Sequence, residues 1–176
     1  MNKRYVIIGS GVAGVSAVEA IRSKDPNSAI AMFGDDLHGY YSRPGLAYYL
    51  THEVPDHSLF PFDEDFFRKL DLTYRQALIT RLDPAGHILE LDDHSRVSFD
   101  RLLIAAGSYA TPLQAPGADL EGVVKLDTLA DALNIKKLAR KAHAGVVVGG
   151  GITALEPPDR SRGAFVPGWG RDPPLF

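Results

Sequence analysis

Residues 5–14 read YVIIGSGVAG and contain the main signals for the fold. Residues 5–8 form a short apolar run with β-branched members, which is typical of a buried parallel strand. Residues 9–14 fit the pattern G-x-G-x-x-G, and residues 12–23 then carry apolar side chains at helical spacing. A second apolar run, residues 29–33, follows a break at Pro26. The order strand, glycine-rich turn, helix, strand predicts one βαβ unit.

Each glycine of this pattern has a physical role in dinucleotide binding. Gly9 makes the tight turn, Gly11 lets the backbone approach a pyrophosphate, and Gly14 lets the helix pack closely against the strand. The start of the helix also presents free N–H groups and a partial positive charge to the phosphates. A purely structural turn is the alternative, but the strand before the glycines and the helix after them favour binding. The predicted phosphate-binding residues are Gly9, Gly11, Val12, Ala13 and Gly14.

Two acids follow the second apolar run. Asp35 and Asp36 lie about twenty residues beyond the glycines, where an acid accepts hydrogen bonds from an adenosine ribose. Asp35 is nearer the end of the strand, and the spacing alone does not choose between the two. The alternative is a pair of solvated loop acids. We therefore expect at least one of them to bind the ribose.

The rest of the chain contains further predicted helices and strands. On the first helix, the spacing places Val18 toward the core and Arg22 toward solvent. Turn signals within residues 72–97 indicate antiparallel strands, with Leu78 as one of their apolar anchors. The remaining predicted elements are helices over residues 44–50, 63–70 and 127–141, and strands over residues 101–105 and 145–148.

Composition argues against several classes of function. The net charge of −3 gives no basic surface for nucleic acid or membranes, and no apolar run is long enough to span a bilayer. The N-terminal apolar run is too short for a signal peptide, so we expect a cytoplasmic protein. The chain has no cysteine, which excludes disulfides and thiolate redox centres. Its six histidines lack ligand spacing, so no metal site is expected.

Residues 41–50, YSRPGLAYYL, add a family resemblance to these signals. They resemble the R-P-x-L-S-K segment of FAD-dependent pyridine-nucleotide oxidoreductases, in the subgroup of ferredoxin and rubredoxin reductases and the nitrite reductase large subunit. The resemblance implies that Arg43 and Pro44 lie by the FAD phosphates and ribityl chain. It also implies that Tyr48, in place of the family's lysine, lies near the flavin and is a candidate catalytic residue. For Arg43, the alternative is a surface salt bridge.

A second segment, residues 100–108 with Pro112 beyond it, resembles the family's D-x-L-I-A-T-G-S-x-P stretch. In the family, the chain there passes close to FAD and returns toward the NAD domain. The threonine of that stretch is replaced here by Ala106. The resemblance adds four predicted FAD contacts: Leu78, Ala105, Ala106 and Gly107.

A third segment, residues 149–156, reads GGGITALE and resembles the second glycine fingerprint, which opens the NAD(P)H domain. Gly149, Gly151 and Ala154 take its three glycine positions and are the predicted NAD(P)H contacts. Glu156 matches a glutamate near the meeting point of nicotinamide and flavin, and is the other candidate catalytic residue. From Pro157 onward the chain is rich in proline and glycine, so we expect an irregular tail and an NAD(P)H domain that stops at its first turn.

Taken together, the resemblance implies an α/β fold: a Rossmann-type FAD-binding domain in three ββα layers, with a parallel sheet and an antiparallel β-meander insertion, incomplete in this chain. The expected segments are an FAD-binding domain over residues 1–110, a linker and helix over 111–143, an NAD(P)H-domain start over 144–156 and the tail over 157–176.

The function implied is hydride transfer from NAD(P)H to FAD, with electrons passed to an external acceptor such as an electron-transfer protein. The lack of cysteine argues against the disulfide-reductase branch of the family. The first alternative is a truncated, catalytically inactive FAD-binding fragment. A weaker one is a small NAD-binding dehydrogenase, although the chain lacks the Tyr-x-x-x-Lys pair of such enzymes.

Overall fold

The computed structural model describes residues 3–149. The chain divides into two compact units, which are described separately. Unit 1 comprises Met1–Tyr41 and Phe60–Ser108, and unit 2 comprises Ser42–Leu59 and Tyr109–Phe176. The strands are β1 (Arg4–Ile8), β2 (Ala29–Gly34), β3 (Leu72–Gln76), β4 (Ile79–Asp83), β5 (Ile88–Leu91), β6 (Arg96–Ser98) and β7 (Arg101–Ile104). The α-helices are α1 (Val12–Lys24), α2 (Leu46–Leu50), α3 (Glu64–Lys69) and α4 (Leu129–Ala139).

Unit 1 contains a four-stranded parallel sheet in the order β3-β2-β1-β7. The chain runs from β1 outward to β2 and β3 on one side, and β7 then pairs with the other side of β1. The direction of strand addition therefore reverses at β1. In open α/β sheets, ligands bind at the carboxyl ends of the strands beside such a reversal. The turn that follows β1 occupies this position.

Alternating residues of β1 reach two separate cores. Ile7 packs with Val15 and Val18 of α1 and with Met32 of β2, and the phenylalanines of α3 join this cluster. On the other face, Val6 packs among residues that include buried Leu89 and Leu91 of the antiparallel sheet β4-β5-β6. Unit 1 is therefore a three-layer structure of helices, parallel sheet and antiparallel sheet, as the sequence predicts.

Unit 2 holds the remaining helices among the described residues. A 3-10 turn, Arg43–Gly45, leads directly into α2, and a second one covers Asp56–Leu59. Its long helix α4 begins with a capping box, in which Thr128 accepts from the Asp131 amide and the Asp131 side chain accepts from the Thr128 amide. Lys136 of α4 lies 4.0 Å from the ring centroid of Tyr49 in α2. This cation–π contact joins the two helices.

The structure corrects two strand predictions. Leu72–Gln76 is the parallel edge strand β3 and not part of the antiparallel meander, which begins at Ile79. Exposure of one side is common to edge strands and to antiparallel strands, so the sequence pattern did not separate them. Residues 145–148 form no strand: Val146 and Val148 are exposed, and within residues 3–149 no strand pairs with them.

Two side-chain predictions are also wrong. Leu78 does not anchor the meander, because it lies between β3 and β4 with 53% of its surface exposed. Arg22 does not point to solvent. Its guanidinium donates to four main-chain carbonyls at 2.8–3.0 Å, and only 13% of its side chain is exposed. These acceptors belong to Pro26, Ser28, Leu70 and Asp71.

Candidate functional site

The glycine turn joins the carboxyl end of β1 to the start of α1. It is fixed from both neighbouring strands: the Gly9 amide donates to the Phe33 carbonyl at 2.7 Å, and the Ala105 amide donates to the Ile8 carbonyl at 2.7 Å. Gly9 has a φ of 109°, which side chains rarely tolerate. The turn is therefore held in one conformation by the sheet itself.

The three glycines have different surroundings. A Cβ at Gly9 would lie 2.1 Å from the Ala105 carbonyl oxygen, and a Cβ at Gly14 would lie 2.1 Å from the Gly9 carbonyl oxygen. At both positions a side chain would clash with backbone atoms, which cannot shift without a large cost in free energy. A Cβ at Gly11 would meet nothing within 4 Å. Gly9 and Gly14 thus keep the turn compact, and Gly11 faces open space where a phosphate could approach.

The start of α1 carries nothing that would compete with an anion. Gly11 is its N-cap residue, no side chain caps the first amides, and the first turn contains no acid. Gly11, Val12 and Ala13 are all exposed. The free N–H groups and the positive end of the helix dipole are therefore open to solvent. The local structure matches the phosphate-binding prediction for these residues.

Asp36 is held more firmly than its neighbour. Its carboxylate accepts from the His38 amide at 2.9 Å and from the Tyr41 hydroxyl at 2.8 Å, and the residue is half-buried. Asp35 is exposed, and its carbonyl accepts from Gln76 at 3.4 Å. Each Asp36 oxygen can accept a further bond. Two hydrogen bonds therefore fix the carboxylate of Asp36.

Two hydroxyl groups beside this loop were missed by the sequence analysis. Tyr74 of β3 donates to the Asp36 carbonyl at 3.2 Å, and its hydroxyl lies beside Gly34 together with that of Ser10. Burial raises the pKa of Tyr74; the Ser10 hydroxyl opposes that rise, and the charges of Asp36 and Asp35 add to it. The available signal was the serine inside the glycine pattern. Tyr74 could be placed only by recognising β3 as a parallel strand.

The segment after β7 lies beside the turn only in part. Ala105 contacts it directly, because its carbonyl is the group that excludes a side chain at Gly9. Ala106 and Gly107 are exposed, and Gly107 adopts a φ of 70° with open space around it. Their contact with FAD, and that of exposed Leu78, stays a prediction.

In unit 2, the structure shows the salt bridge that was the alternative for Arg43. Its NH1 atom lies 3.5 Å from Oδ1 of Asp127, and Oδ2 of the same carboxylate lies 3.5 Å from the Lys125 ammonium. Pro44 follows within the 3-10 turn, and Tyr48 is 39% exposed on α2. The predicted flavin contacts of these three residues stay predictions.

The second glycine fingerprint falls largely outside the described residues. Gly149 is described, with a φ of 138°. Gly151, Ala154, Glu156 and the predicted tail over residues 157–176 lie beyond them. Over residues 3–149, no helix is long and apolar enough to cross a bilayer, and no group of three potential metal ligands occurs.

The family described as pyridine nucleotide-disulphide oxidoreductase matches residues 3–157. The chain belongs to this family. It is 35% identical over 158 residues to a probable ferredoxin reductase, CtmF, of Castellaniella defragrans, covering 88% of this chain and 38% of that protein. It is 33% identical over 154 residues to rhodocoxin reductase of Rhodococcus erythropolis, covering 86% of this chain and 36% of that protein.

A solved member of similar structure is the ferredoxin reductase for the CYP199A2 system from Rhodopseudomonas palustris. The TM-score is 0.82 at 27% identity, covering 89% of this chain and 39% of that one. The predicted pyridine nucleotide-disulphide oxidoreductase family and its Rossmann-type fold are thus confirmed. The chain spans less than two fifths of the length of each of these three proteins.

Proposed function

We propose that this chain supplies the FAD-binding part of an oxidoreductase that takes hydride from NAD(P)H and passes electrons to an external acceptor. One observation carries the proposal. The turn between β1 and α1 is closed by backbone at Gly9 and Gly14, open at Gly11, and followed by helix amides that no side chain caps. This arrangement suits the pyrophosphate of a dinucleotide.

The residues of unit 1 fit FAD at its adenosine end. The amides that follow Gly11 would hold the pyrophosphate, and the fixed carboxylate of Asp36 would accept hydrogen bonds from the ribose hydroxyls. Asp36 is preferred to the exposed Asp35 because it is half-buried and two hydrogen bonds hold its carboxylate in place before any ligand arrives. When bound, FAD supplies the group that accepts hydride and releases electrons.

The second part of the proposal concerns the external electron acceptor. The relatives are named as reductases of ferredoxin and of rhodocoxin. The chain has no cysteine, so electrons have no thiol route within it. We therefore propose a separate electron-transfer protein as the acceptor, and NADH or NADPH as the donor.

Cofactor uptake by the purified full chain tests the proposal. The expected result is a yellow protein that releases fluorescent flavin on denaturation, or an apoprotein that quenches added FAD with a saturable titration. A colourless protein that takes up no FAD contradicts the proposal.

Turnover is tested separately by adding NADH or NADPH anaerobically to the flavin-loaded protein. Bleaching of the flavin colour supports hydride transfer by this chain. Bound flavin that neither nucleotide bleaches supports the second candidate, an FAD-binding part without turnover of its own. The short span of the chain relative to its relatives is the observation that keeps this candidate in view.

A further inference from the structure

Two hydroxyl groups lie at the end of β2 in unit 1, and the proposed function assigns no role to them. Ser10 belongs to the glycine turn and Tyr74 to β3. Both approach Gly34: a Cβ there would lie 2.8 Å from the Ser10 hydroxyl oxygen and 3.3 Å from the Tyr74 hydroxyl oxygen. The strand ends in glycine because two side chains already fill the space above it.

Tyr74 lies between the two parts of the nucleotide site. Its hydroxyl shares the space beside Gly34 with the Ser10 hydroxyl and donates to the Asp36 carbonyl at 3.2 Å. The Tyr41 hydroxyl donates to the carboxylate of Asp36 at 2.8 Å. Tyr74 thus holds the main chain of the acid loop at a point beside Ser10 of the phosphate-binding turn.

The pairing of β2 with β3 puts Tyr74 in this position. Met32 and Tyr74 are paired in the parallel register, two residues before the strand end at Gly34. The long side chain reaches the carboxyl end of the sheet, where both the turn and the acids lie. A phenylalanine would fill the same volume without the hydroxyl, so packing alone does not require tyrosine.

We infer that Tyr74 is a positioning residue for the adenosine end of the nucleotide: with Ser10, it fixes the spacing between the phosphate-binding turn and Asp36. This inference rests on the proposed function. The spacing matters only to a ligand that contacts both parts, such as FAD or ADP. A ligand that contacts the turn alone, such as inorganic pyrophosphate, is indifferent to it.

The test measures the affinities of the full chain and its variants for FAD, and for ADP and inorganic pyrophosphate as competitors. Tyr74→Phe is expected to weaken FAD and ADP by about three- to tenfold, the value of one hydrogen bond, and to leave pyrophosphate unchanged. A merely structural role would weaken all three ligands alike. The matched control is Tyr5→Phe, since Tyr5 also donates to an aspartate, Asp25, but at the amino end of the same sheet.

A second variant keeps the inference testable if Tyr74→Phe fails to fold. Ser10→Ala removes the hydroxyl that lies beside that of Tyr74 and leaves the tyrosine ring in place. It is expected to show the same selective loss, and the double variant should be no weaker than the weaker single variant. Unchanged FAD and ADP affinities in both variants, or an equal loss for pyrophosphate, would overturn the inference. A wild-type chain that binds neither FAD nor ADP would instead contradict the proposed function.

Discussion

The two longest helices within residues 3–149, α1 and α4, begin in opposite ways. At α4, Thr128 and Asp131 satisfy each other's backbone amides and place a carboxylate at the positive end of the helix. At α1, the N-cap is Gly11, no side chain accepts from the first amides, and no acid lies in the first turn. A capping box stabilises a helix, whereas a bare start leaves hydrogen-bond donors for something else. Helix α1 therefore lacks the stabilisation of a side-chain cap at the place where the nucleotide is proposed to bind.

The largest effect is expected from closing the space between α1 and the turn. Gly14→Ala would place a Cβ 2.1 Å from the Gly9 carbonyl oxygen, and neither backbone segment can yield without moving the helix. We expect a loss of about 3 kcal/mol or more in the free energy of unfolding. Thermal and denaturant unfolding measure it. Gly11→Ala is the control, since its Cβ meets nothing within 4 Å and should cost less than about 1 kcal/mol. Equal losses in the two variants would contradict the prediction.

The second prediction makes the start of α1 resemble that of α4. Gly11→Asp offers a capping carboxylate to the open amides, so the free energy of unfolding should hold or rise by up to about 1 kcal/mol. The same carboxylate would occupy the amides and repel phosphate, so FAD affinity should fall more than about tenfold. A FAD titration and an unfolding curve on one sample check both signs. Gly11→Asn, a cap without charge, should lose less affinity; a Gly11→Asp variant that binds FAD normally would refute the idea.

The third prediction removes the cap of α4. Thr128→Ala should lower the free energy of unfolding by about 1 kcal/mol, because the Asp131 amide loses its acceptor. FAD affinity should stay the same, since Thr128 has no place in the proposed nucleotide site. Circular dichroism melts and a FAD titration measure the two effects. Thr128→Ser keeps the acceptor and should behave as the wild type; a Thr128→Ala chain as stable as that control would count against the capping energy.

The smallest effect concerns the opposite end of α1, where the side chain of the C-cap residue Asp25 accepts two hydrogen bonds. The Ser28 hydroxyl and the Tyr5 hydroxyl both donate to Asp25, and the hydrogen bond from Ser28 is the main cause that lowers the pKa of this carboxyl below 3.8. The stabilisation is present above pH 3.8 and is lost as the pH falls through the lower folded-state pKa, because the unfolded chain takes up the proton first.

Unfolding free energies measured from about pH 5 down to about pH 2 test this. Asp25→Asn should decline less steeply over that range than the wild type. Part of the decline should persist, because hydrogen bonds from Ser95 also lower the pKa of Asp93. Identical slopes in the two proteins would rule out a contribution from Asp25.

The first βαβ unit could be predicted from sequence because its determinants are local. The apolar run, the three glycines and the helical spacing that follow one another between Arg4 and Gly34 each specify their own element. The parallel pairing of β3 could not be predicted, because its partner β2 lies almost forty residues earlier and most of its side chains are exposed. The position of Tyr74 beside Ser10 and Asp36 depends on that pairing, so it could not be predicted either.

Arg22 shows the same limit for a single side chain. Helical spacing predicts that Arg22 lies on the outer face, yet the carbonyls it contacts come from two later segments, residues 26–28 and 70–71, whose positions the periodicity does not indicate. For the candidate site, the sequence named Gly9, Gly11 and Gly14, and the structure separated their roles by what surrounds each one. The hydrogen bonds that fix the Asp36 carboxylate could be recognised only from the structure of its loop.

The guanidinium of Arg22 joins α1 to the start of β2 and the entrance of β3 through four main-chain carbonyls, and it also lies 3.9 Å from the Asp71 carboxylate. The carbonyls of Pro26 and Leu70 are offered whatever side chain stands at those two positions. Among homologues, position 22 should therefore vary less than positions 26 and 70. A lysine at position 22 has a single ammonium group in place of the planar guanidinium, so it could not donate to all four carbonyls at once.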